Sequence, residues 1–250
     1  MSEKNLKIVI SVVIVCFIYF IIIFVYMMNN KTTKGYIINS NLGGFYCKQK
    51  KCEFVSQSDI KINNSYALFQ YGEYVGDYTP SLVVDKWNFK QNEDYESIYG
   101  DFLAIDEKLN YQYIPIKTEA LNTDDILLLQ KTTQINFSKL NNSYKIAVDL
   151  DNNGVTDYIY TLSNQVDDGA SSEYFSIFYV SLNGELLTIY NDKNKDADNY
   201  ELPFYSVAGI VNIDSIPKII INKTYYSNMG ESSTMIFTVL KSGIKNDAEK

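Results

Sequence analysis

The sequence contains no His and no Arg. Without His, it lacks the commonest general base and the commonest protein ligand of transition metals. Its 22 basic residues are therefore all Lys, and they face 30 Asp and Glu, which gives a formal net charge of −8 at pH 7. A protein that follows nucleic-acid phosphates needs a basic surface, so this balance excludes a nucleic-acid partner.

Proline and cysteine are also scarce, with 4 and 3 residues among 250, whereas hydrophobic residues make up 46% and aromatic residues 14%. That much apolar material is enough to bury a core, which excludes a wholly disordered chain. The length suits one large domain or two small ones.

One apolar run, residues 8–28, has 21 residues without a charge. At about 1.5 Å per residue, a helix of that length is about 31 Å long, which matches the hydrocarbon core of a bilayer. A cleaved signal peptide has a shorter apolar region that ends in small residues. Here the first Gly and the first Ala are Gly35 and Ala67. The run therefore predicts one transmembrane helix.

The flanking charges do not orient this helix, because two Lys on each side balance each other. A lone N-terminal span acts as an uncleaved signal-anchor, and Cys47 and Cys52 have the spacing of an oxidised pair. We therefore predict a single-pass protein of the cell membrane, with a cytoplasmic tail at residues 1–7, a spacer at 29–35 and the folded part outside the cytoplasm. Without residues 1–28, 20 Lys and 29 acidic residues remain, a net charge of −9.

Two β-prone runs, residues 44–47 and 52–55, predict a hairpin with a four-residue loop at 48–51. In that hairpin Cys47 and Cys52 face each other, and a disulfide closing so small a ring contributes about 2 kcal/mol. Free thiols are the alternative. A zinc site would need two further N or S ligands, which the exposed part of the chain does not offer as Cys or His.

From residue 36 to 120, short apolar, β-branched and aromatic runs recur, which is typical of strands. This region also holds the only Trp, Trp87, and many Tyr. The rings are either an aromatic platform for sugars or strand residues that pack while their hydroxyls find partners. We favour packing.

The remaining region, residues 121–250, begins with a predicted helix. Thr123 is the expected N-cap, Asp124 and Asp125 lie in the first turn, and residues 126–129 continue the helix. A helix so short is expected to pack across a sheet.

A degenerate duplication follows, with residues 146–184 and 210–243 as its two units. Gly184 matches Gly243, and each unit reads as strand, loop, strand, polar loop, strand and turn. This is the pattern of an antiparallel meander. We expect a mainly β fold of antiparallel meanders in a sandwich-like or partial-propeller-like arrangement, with one or two short helices besides the transmembrane helix.

The first loop of the first unit, residues 149–157, has the sequence DLDNNGVTD. Calcium takes roughly six to eight oxygen ligands, and this spacing presents carboxylates at the first, third and ninth positions, an amide oxygen at the fifth and a main-chain carbonyl at the seventh. The predicted calcium ligands are Asp149, Asp151, Asn153, Val155 and Asp157. A plain Asn-Gly hairpin with solvated acidic residues is the alternative interpretation.

The strand-loop-strand setting of this loop resembles the calcium loops of FG-GAP and VCBS-type repeats, the units of integrin-like propeller blades. The resemblance covers residues 144–190, with 209–243 as a decayed copy. It implies a structural calcium ion between strands of a blade. The loop does not fit an EF-hand, because Tyr160 stands at the twelfth position and the flanks read as strands.

The sequence shows no residues at catalytic spacing. We therefore predict a membrane-anchored, extracytoplasmic binding or interaction module, stiffened by one calcium ion and one disulfide, with an envelope protein or a polysaccharide as its ligand. The alternative is an accessory subunit of a cell-envelope membrane complex, whose apolar helix would pair with other helices. A hydrolase that uses paired carboxylates is a third, less favoured hypothesis.

Overall fold

The chain divides into two compact units, Met1–Thr33 and Lys34–Lys250. The computed structural model describes residues 15–21, 34–40, 43–48, 51–70, 72–83, 86–91, 94–97, 102–135, 137, 140–164, 174–194, 202–225 and 232–249. In the first unit, residues 15–21 are helical and exposed. None of the helices in the described part of the chain is long and apolar enough to cross a membrane. The rest of the predicted transmembrane run, 8–14 and 22–28, lies outside the described residues.

The second unit is mainly antiparallel β, as predicted. Its described strands are β1 (Lys34–Ser40), β2 (Gly43–Lys48), β3 (Lys51–Ser56), β4 (Tyr66–Gln70), β5 (Glu73–Val83), β6 (Lys86–Gln91), β7 (Asp94–Ser97), β8 (Phe102–Asp106), β9 (Tyr111–Ile114), β10 (Thr118–Glu119), β11 (Asn141–Val148), β12 (Asp157–Ser163), β13 (Tyr174–Leu182), β14 (Glu185–Asn194), β15 (Pro203–Ile213), β16 (Ile216–Tyr225), β17 (Ser232–Leu240) and β18 (Gly243–Glu249). They are accompanied by helix α1 (Thr123–Thr133) and a 3-10 turn (Gln57–Asp59).

The first eight strands form one sheet in the order β3-β2-β1-β8-β4-β5-β6-β7. At its edge, the β2–β3 hairpin places Cys47 opposite Cys52, with the Cα atoms 4.1 Å apart, and the two form the predicted disulfide. Lys48 and Lys51 are also paired. The predicted four-residue loop was therefore too long, because the ladder continues one pair beyond the disulfide.

The duplicated region forms two separate sheets with the same plan. One has the order β10-β11-β12-β13-β14, and the other has the order β9-β15-β16-β17-β18. Each is a four-strand meander with one short strand added beside its first strand. The two sheets pack face to face through a shared cluster that includes Ile159 and Phe178 from one and Ile219 and Ile221 from the other. The predicted meanders are thus present, and they are face-packed.

Both outer faces of this pair of sheets are covered. The eight-stranded sheet packs on the β15–β18 sheet, where Ile37 and Phe45 meet Ile220 and Ile236. Helix α1 packs on the β11–β14 sheet through Leu129, as predicted for a short helix next to a sheet.

The N-cap of α1 is Asn122 and not the predicted Thr123. The Asn122 side chain accepts a hydrogen bond from the backbone N–H of Asp125 at 2.8 Å, and the Asp125 carboxylate accepts one from the backbone N–H of Asn122 at 2.9 Å. This reciprocal capping box satisfies two backbone donors at once, and it selects the residue three positions before Asp125 as the cap.

The aromatic residues of the first region mostly pack where they are described. Trp87 and Tyr78 are 3% and 4% exposed, and both belong to the cluster on the face of the eight-stranded sheet that points away from the other two sheets. Their rings therefore follow the packing interpretation and not the sugar platform.

Candidate metal centre

The predicted calcium loop connects β11 to β12. The last residue of β11, Val148, is paired with the first residue of β12, Asp157, and residues 149–156 lie between them. Within the loop Asn152 and Gly154 have positive φ angles of 56° and 83°. The connection is therefore a wide loop and not the two-residue Asn-Gly turn of the alternative interpretation.

Side chains of the loop hold its own backbone in shape. The two carboxylate oxygens of Asp149 accept hydrogen bonds from the backbone N–H groups of Asn153 at 3.0 Å and Gly154 at 2.8 Å. The side-chain oxygen of Asn153 accepts one from the backbone N–H of Val155 at 2.7 Å. Such local bonds are the reason that Asp and Asn favour turns, and here they fix part of the loop's backbone from within the loop.

Asp157 lies at the base of the loop and is 1% exposed. Its carboxylate accepts hydrogen bonds from the backbone N–H groups of Leu150 at 2.9 Å and Asn183 at 2.8 Å. Burial is the largest cause that raises the pKa of Asp157, and the charges of Asp151 and Asp149 raise it further, against the two backbone bonds. The carboxyl group therefore holds its proton more tightly than an ordinary Asp unless a positive charge joins it.

The carboxylates of Asp149, Asp151 and Asp157 offer oxygens that all lie within 4.8 Å of one another. Oδ2 of Asp151 accepts a hydrogen bond from the Asn183 amide at 3.0 Å, whereas its Oδ1 is buried and has no hydrogen-bond partner in the described part of the chain. Like charges repel at this range, and a buried acceptor without a partner costs about 1–3 kcal/mol. A divalent cation bound by oxygen would remove both penalties, so the donor set fits calcium.

Three of the five predicted ligands are thus brought together. Asn153 lies beside them, with its oxygen engaged by the Val155 amide and its nitrogen donating to the side-chain oxygen of Asn183. Val155 is 52% exposed on the loop. The roles of Asn153 and of the Val155 carbonyl as ligands stay predictions.

Sequence reasoning missed Asn183, which lies in the β13–β14 turn. Its backbone N–H binds Asp157, and its side chain connects Asn153 with Asp151. Asn183 and Gly184 both have positive φ, at 54° and 80°, as a two-residue hairpin turn requires. The Asn-Gly pair was a readable turn signal, and in a meander alternate connections lie at the same end of the sheet. Those two facts together would have placed it beside the loop.

The second copy of the repeat has a shorter connection at the same place. Asp214 and Ser215 alone separate β15 from β16, with φ angles of 51° and 64°. Lys218, fully buried in β16, stands near the position of Asp157. A two-residue turn has no room for the oxygens of a nine-residue loop, so the described second copy does not repeat the acidic cluster.

We expect Asn183→Gly to lower the free energy of unfolding by about 1 kcal/mol in the presence of a chelator, because it removes the side chain that connects the loop to the turn while leaving the positive φ unstrained. Urea unfolding measures the change. The matched control is Asn152→Gly, which is exposed and has positive φ like Asn183 but whose side chain makes no hydrogen bond to the β13–β14 turn in the described residues. Equal losses in both variants would contradict the bridging role of Asn183.

No protein-family model, curated protein or solved structure matches the chain.

Proposed function

We propose that the chain is a membrane-anchored, extracytoplasmic, β-rich binding module whose β11–β12 loop holds one structural calcium ion. Two observations carry the proposal: the carboxylates of Asp149, Asp151 and Asp157 offer oxygens within 4.8 Å of one another, and one buried oxygen of Asp151 has no partner in the described residues. The ion is structural, because the loop is bonded to the β13–β14 turn through Asp157 and Asn183. Calcium binding would stiffen the end of the β11–β14 meander where the two connections meet. The kinship with FG-GAP and VCBS-type repeats stays a prediction.

Two features support the anchor and its orientation. The uncharged run 8–28 has the length of a span, and the described part of it is helical with exposed apolar side chains such as Phe17 and Tyr19, at 66% and 65%. The Cys47–Cys52 disulfide is a bond that persists outside the reducing cytosol.

The fold itself is also part of the proposal. The face-to-face packing of the two five-stranded sheets favours a sandwich-like arrangement over a partial propeller.

Calcium is expected to stabilise the folded unit. At a free concentration about 100 times Kd, an ion that binds only the folded state adds about 2.7 kcal/mol, which for a chain of this size raises Tm by about 5–10 °C. Thermal unfolding of the 250-residue chain in detergent, with calcium and then with a chelator, measures the shift. Equal Tm values in the two conditions would contradict the proposed calcium site.

The variant Asp151→Asn keeps the shape of the side chain but removes the charge at the unpartnered oxygen, so we expect it to lose most of the calcium shift. Glu185→Gln is the control. Glu185 is exposed at the start of β14, and its substitution removes the same charge close to the loop. A calcium shift that falls equally in both variants would mean that the ion responds to general surface charge and not to this site.

A further inference from the structure

A cavity of about 400 Å³ lies on the eight-stranded sheet, whereas the metal centre belongs to the β10–β14 sheet. Its base is formed by Tyr36 of β1 and Tyr46 of β2. One wall is the segment that follows the 3-10 turn and contains Lys61, and another is the turn after β8 that contains Lys108. The volume falls within the range of about 300–1,000 Å³ that is typical of small-ligand sites.

The base of the cavity is aromatic. Tyr36 and Tyr46 are paired directly across β1 and β2, so their side chains lie on the same face of the sheet. Their ring centroids are 5.2 Å apart at an interplanar angle of 47°, and both residues are only half-buried. Part of each ring therefore remains available to a ligand that has an apolar face.

The mouth of the cavity is basic. Lys34, Lys61 and Lys108 all line it and all are exposed. Lys108 donates a hydrogen bond from its ammonium to the side-chain oxygen of Asn64 at 2.5 Å. Within the described residues, the ammonium groups of Lys34 and Lys61 have neither an ion-pair nor a hydrogen-bond partner. Among the described residues, nothing therefore competes with an anion for these two ammonium groups.

The two acidic residues of the cavity are already engaged. Asp106 is fully buried, and its carboxylate accepts hydrogen bonds from the Asn64 amide at 2.7 Å and the backbone N–H of Lys108 at 3.0 Å. Asp59 accepts one from the hydroxyl of Ser56 at 2.7 Å. Asp106 therefore holds both walls in place from below, which preorganises the site.

We propose that this cavity binds an acidic saccharide, a sugar ring that carries a carboxylate. The ring would pack on Tyr36 and Tyr46, and its carboxylate would meet Lys34 and Lys61. The proposal names the ligand class of the binding module and in that sense rests on the proposed function. The net negative charge of the unit does not oppose it, because repulsion from charges more than about 8–10 Å away is largely screened by salt, and among the residues that line the cavity three Lys outnumber two Asp.

Calorimetric titration of the 250-residue chain with trigalacturonic acid tests the proposal. The first comparison is the methyl ester of the same oligomer, which keeps the rings and removes the charge. The second is inorganic phosphate, which keeps a charge and has no ring. We expect the acid to bind at least about tenfold more tightly than either, a difference of about 1.4 kcal/mol. Absence of binding by the acid, or an affinity of the ester or of phosphate that equals it, would overturn the proposal.

Variants assign the binding to this cavity. Lys34→Gln with Lys61→Gln is expected to weaken binding about tenfold, because each exposed charge pair is worth up to about 1 kcal/mol. Lys131→Gln with Lys241→Gln is the matched control, since both Lys are exposed in the described surface and neither lines the cavity. Equal losses in the two double variants would overturn the assignment.

Tyr46→Leu removes the ring and keeps an apolar side chain, so it is expected to weaken binding about fivefold at unchanged salt dependence. An unchanged affinity would overturn the role of the aromatic base. All titrations are repeated with calcium and with a chelator. Saccharide binding without a calcium shift would contradict the metal centre but not the saccharide site. A calcium shift without saccharide binding would contradict the saccharide site but not the metal centre.

Discussion

Replacing Asp247 with Ala is expected to lower the free energy of unfolding by about 3–5 kcal/mol, because it removes the carboxylate partner of a buried Lys. The side chains of Lys218 and Asp247 are 0% and 6% exposed, and their charged atoms are 2.5 Å apart. The hydroxyl of Thr238 bonds to both. Successive side chains of a strand point to opposite faces, so Lys218 lies on the same face of β16 as Ile220. Ile220 packs against the eight-stranded sheet. The Lys218 side chain is thus fully buried.

The pH dependence of this loss gives a second readout. Burial lowers the pKa of Lys218, and the hydrogen bond and charge of Asp247 oppose that effect. Without Asp247 the pKa falls further, so the folded variant gives up a proton that the unfolded chain keeps until about pH 10.4. Because the unfolded state then binds more protons, the stability of the variant rises with pH. Urea unfolding should therefore show the largest difference from the parent near neutral pH and a smaller one near pH 10.

The double variant Lys218→Met with Asp247→Leu separates the charge effect from the packing effect. A buried ion pair can often be replaced by apolar residues of similar volume at little cost, so we expect most of the lost stability to return. If the double variant were as unstable as Asp247→Ala, the loss would come from packing in β18, and the explanation by a stranded charge would be wrong.

The sequence predicted strands where the local pattern was sufficient. Runs such as those of β4 and β8 are rich in aromatic and β-branched or aliphatic residues, and both form strands. It did not predict that β8 lies between β1 and β4, or that β9 joins β15, because these pairings connect segments far apart in the chain. Lys218 shows the same limit: a Lys in a strand normally indicates a solvent-facing position, and its partner lies 29 residues further along the chain.

The candidate site divides in the same way. Asp149, Asp151 and Asp157 lie in one short loop, so their spacing alone predicted that they converge. Asn183 comes from another hairpin, so its position beside the loop follows from the meander order of β11 to β14 and not from local spacing. The prediction of Thr123 as the N-cap of α1 was wrong for a different reason. Asn122 and Thr123 are both good cap residues, and the choice depends on which backbone N–H each side chain can reach.

Asp125 connects helix α1 to the sheet beneath it. Its carboxylate accepts hydrogen bonds from the Lys145 ammonium at 2.7 Å, from the Tyr160 hydroxyl at 3.1 Å and from the backbone N–H of Asn122 at 2.9 Å. Asp125 and Lys145 are 8% and 7% exposed. One carboxylate therefore caps the helix and neutralises a buried Lys of β11.

We expect Asp125→Ala to lower the free energy of unfolding by about 3–5 kcal/mol, because the Asn122 N–H loses its acceptor in the capping box and the Lys145 charge stays buried without its carboxylate. Hydrogen exchange of the α1 amides, together with urea unfolding, measures the loss and locates it. The control is Asp124→Asn, which removes a charge from the same first turn at an exposed position and should cost no more than about 1 kcal/mol. Similar losses in the two variants would mean that Asp125 acts only as a charge at the helix N-terminus and not as the partner of Lys145.

Acid provides a test that leaves the chain unchanged. Burial acts to raise the pKa of Asp125, but the bonds from Lys145, Asn122 and Tyr160 and the Lys145 charge outweigh it, so the pKa is lowered. The unfolded chain therefore takes up the proton first. The stability that Asp125 provides is complete above its unfolded value of about 3.9, and it is lost as the pH falls through the lower value of the folded state. Asp125→Asn has no such proton to bind, so the gap in stability between parent and variant should close as the pH falls below about 4. A gap that stays constant from neutral pH to about pH 3 would show that the size of the side chain and not its charge holds the helix on the sheet.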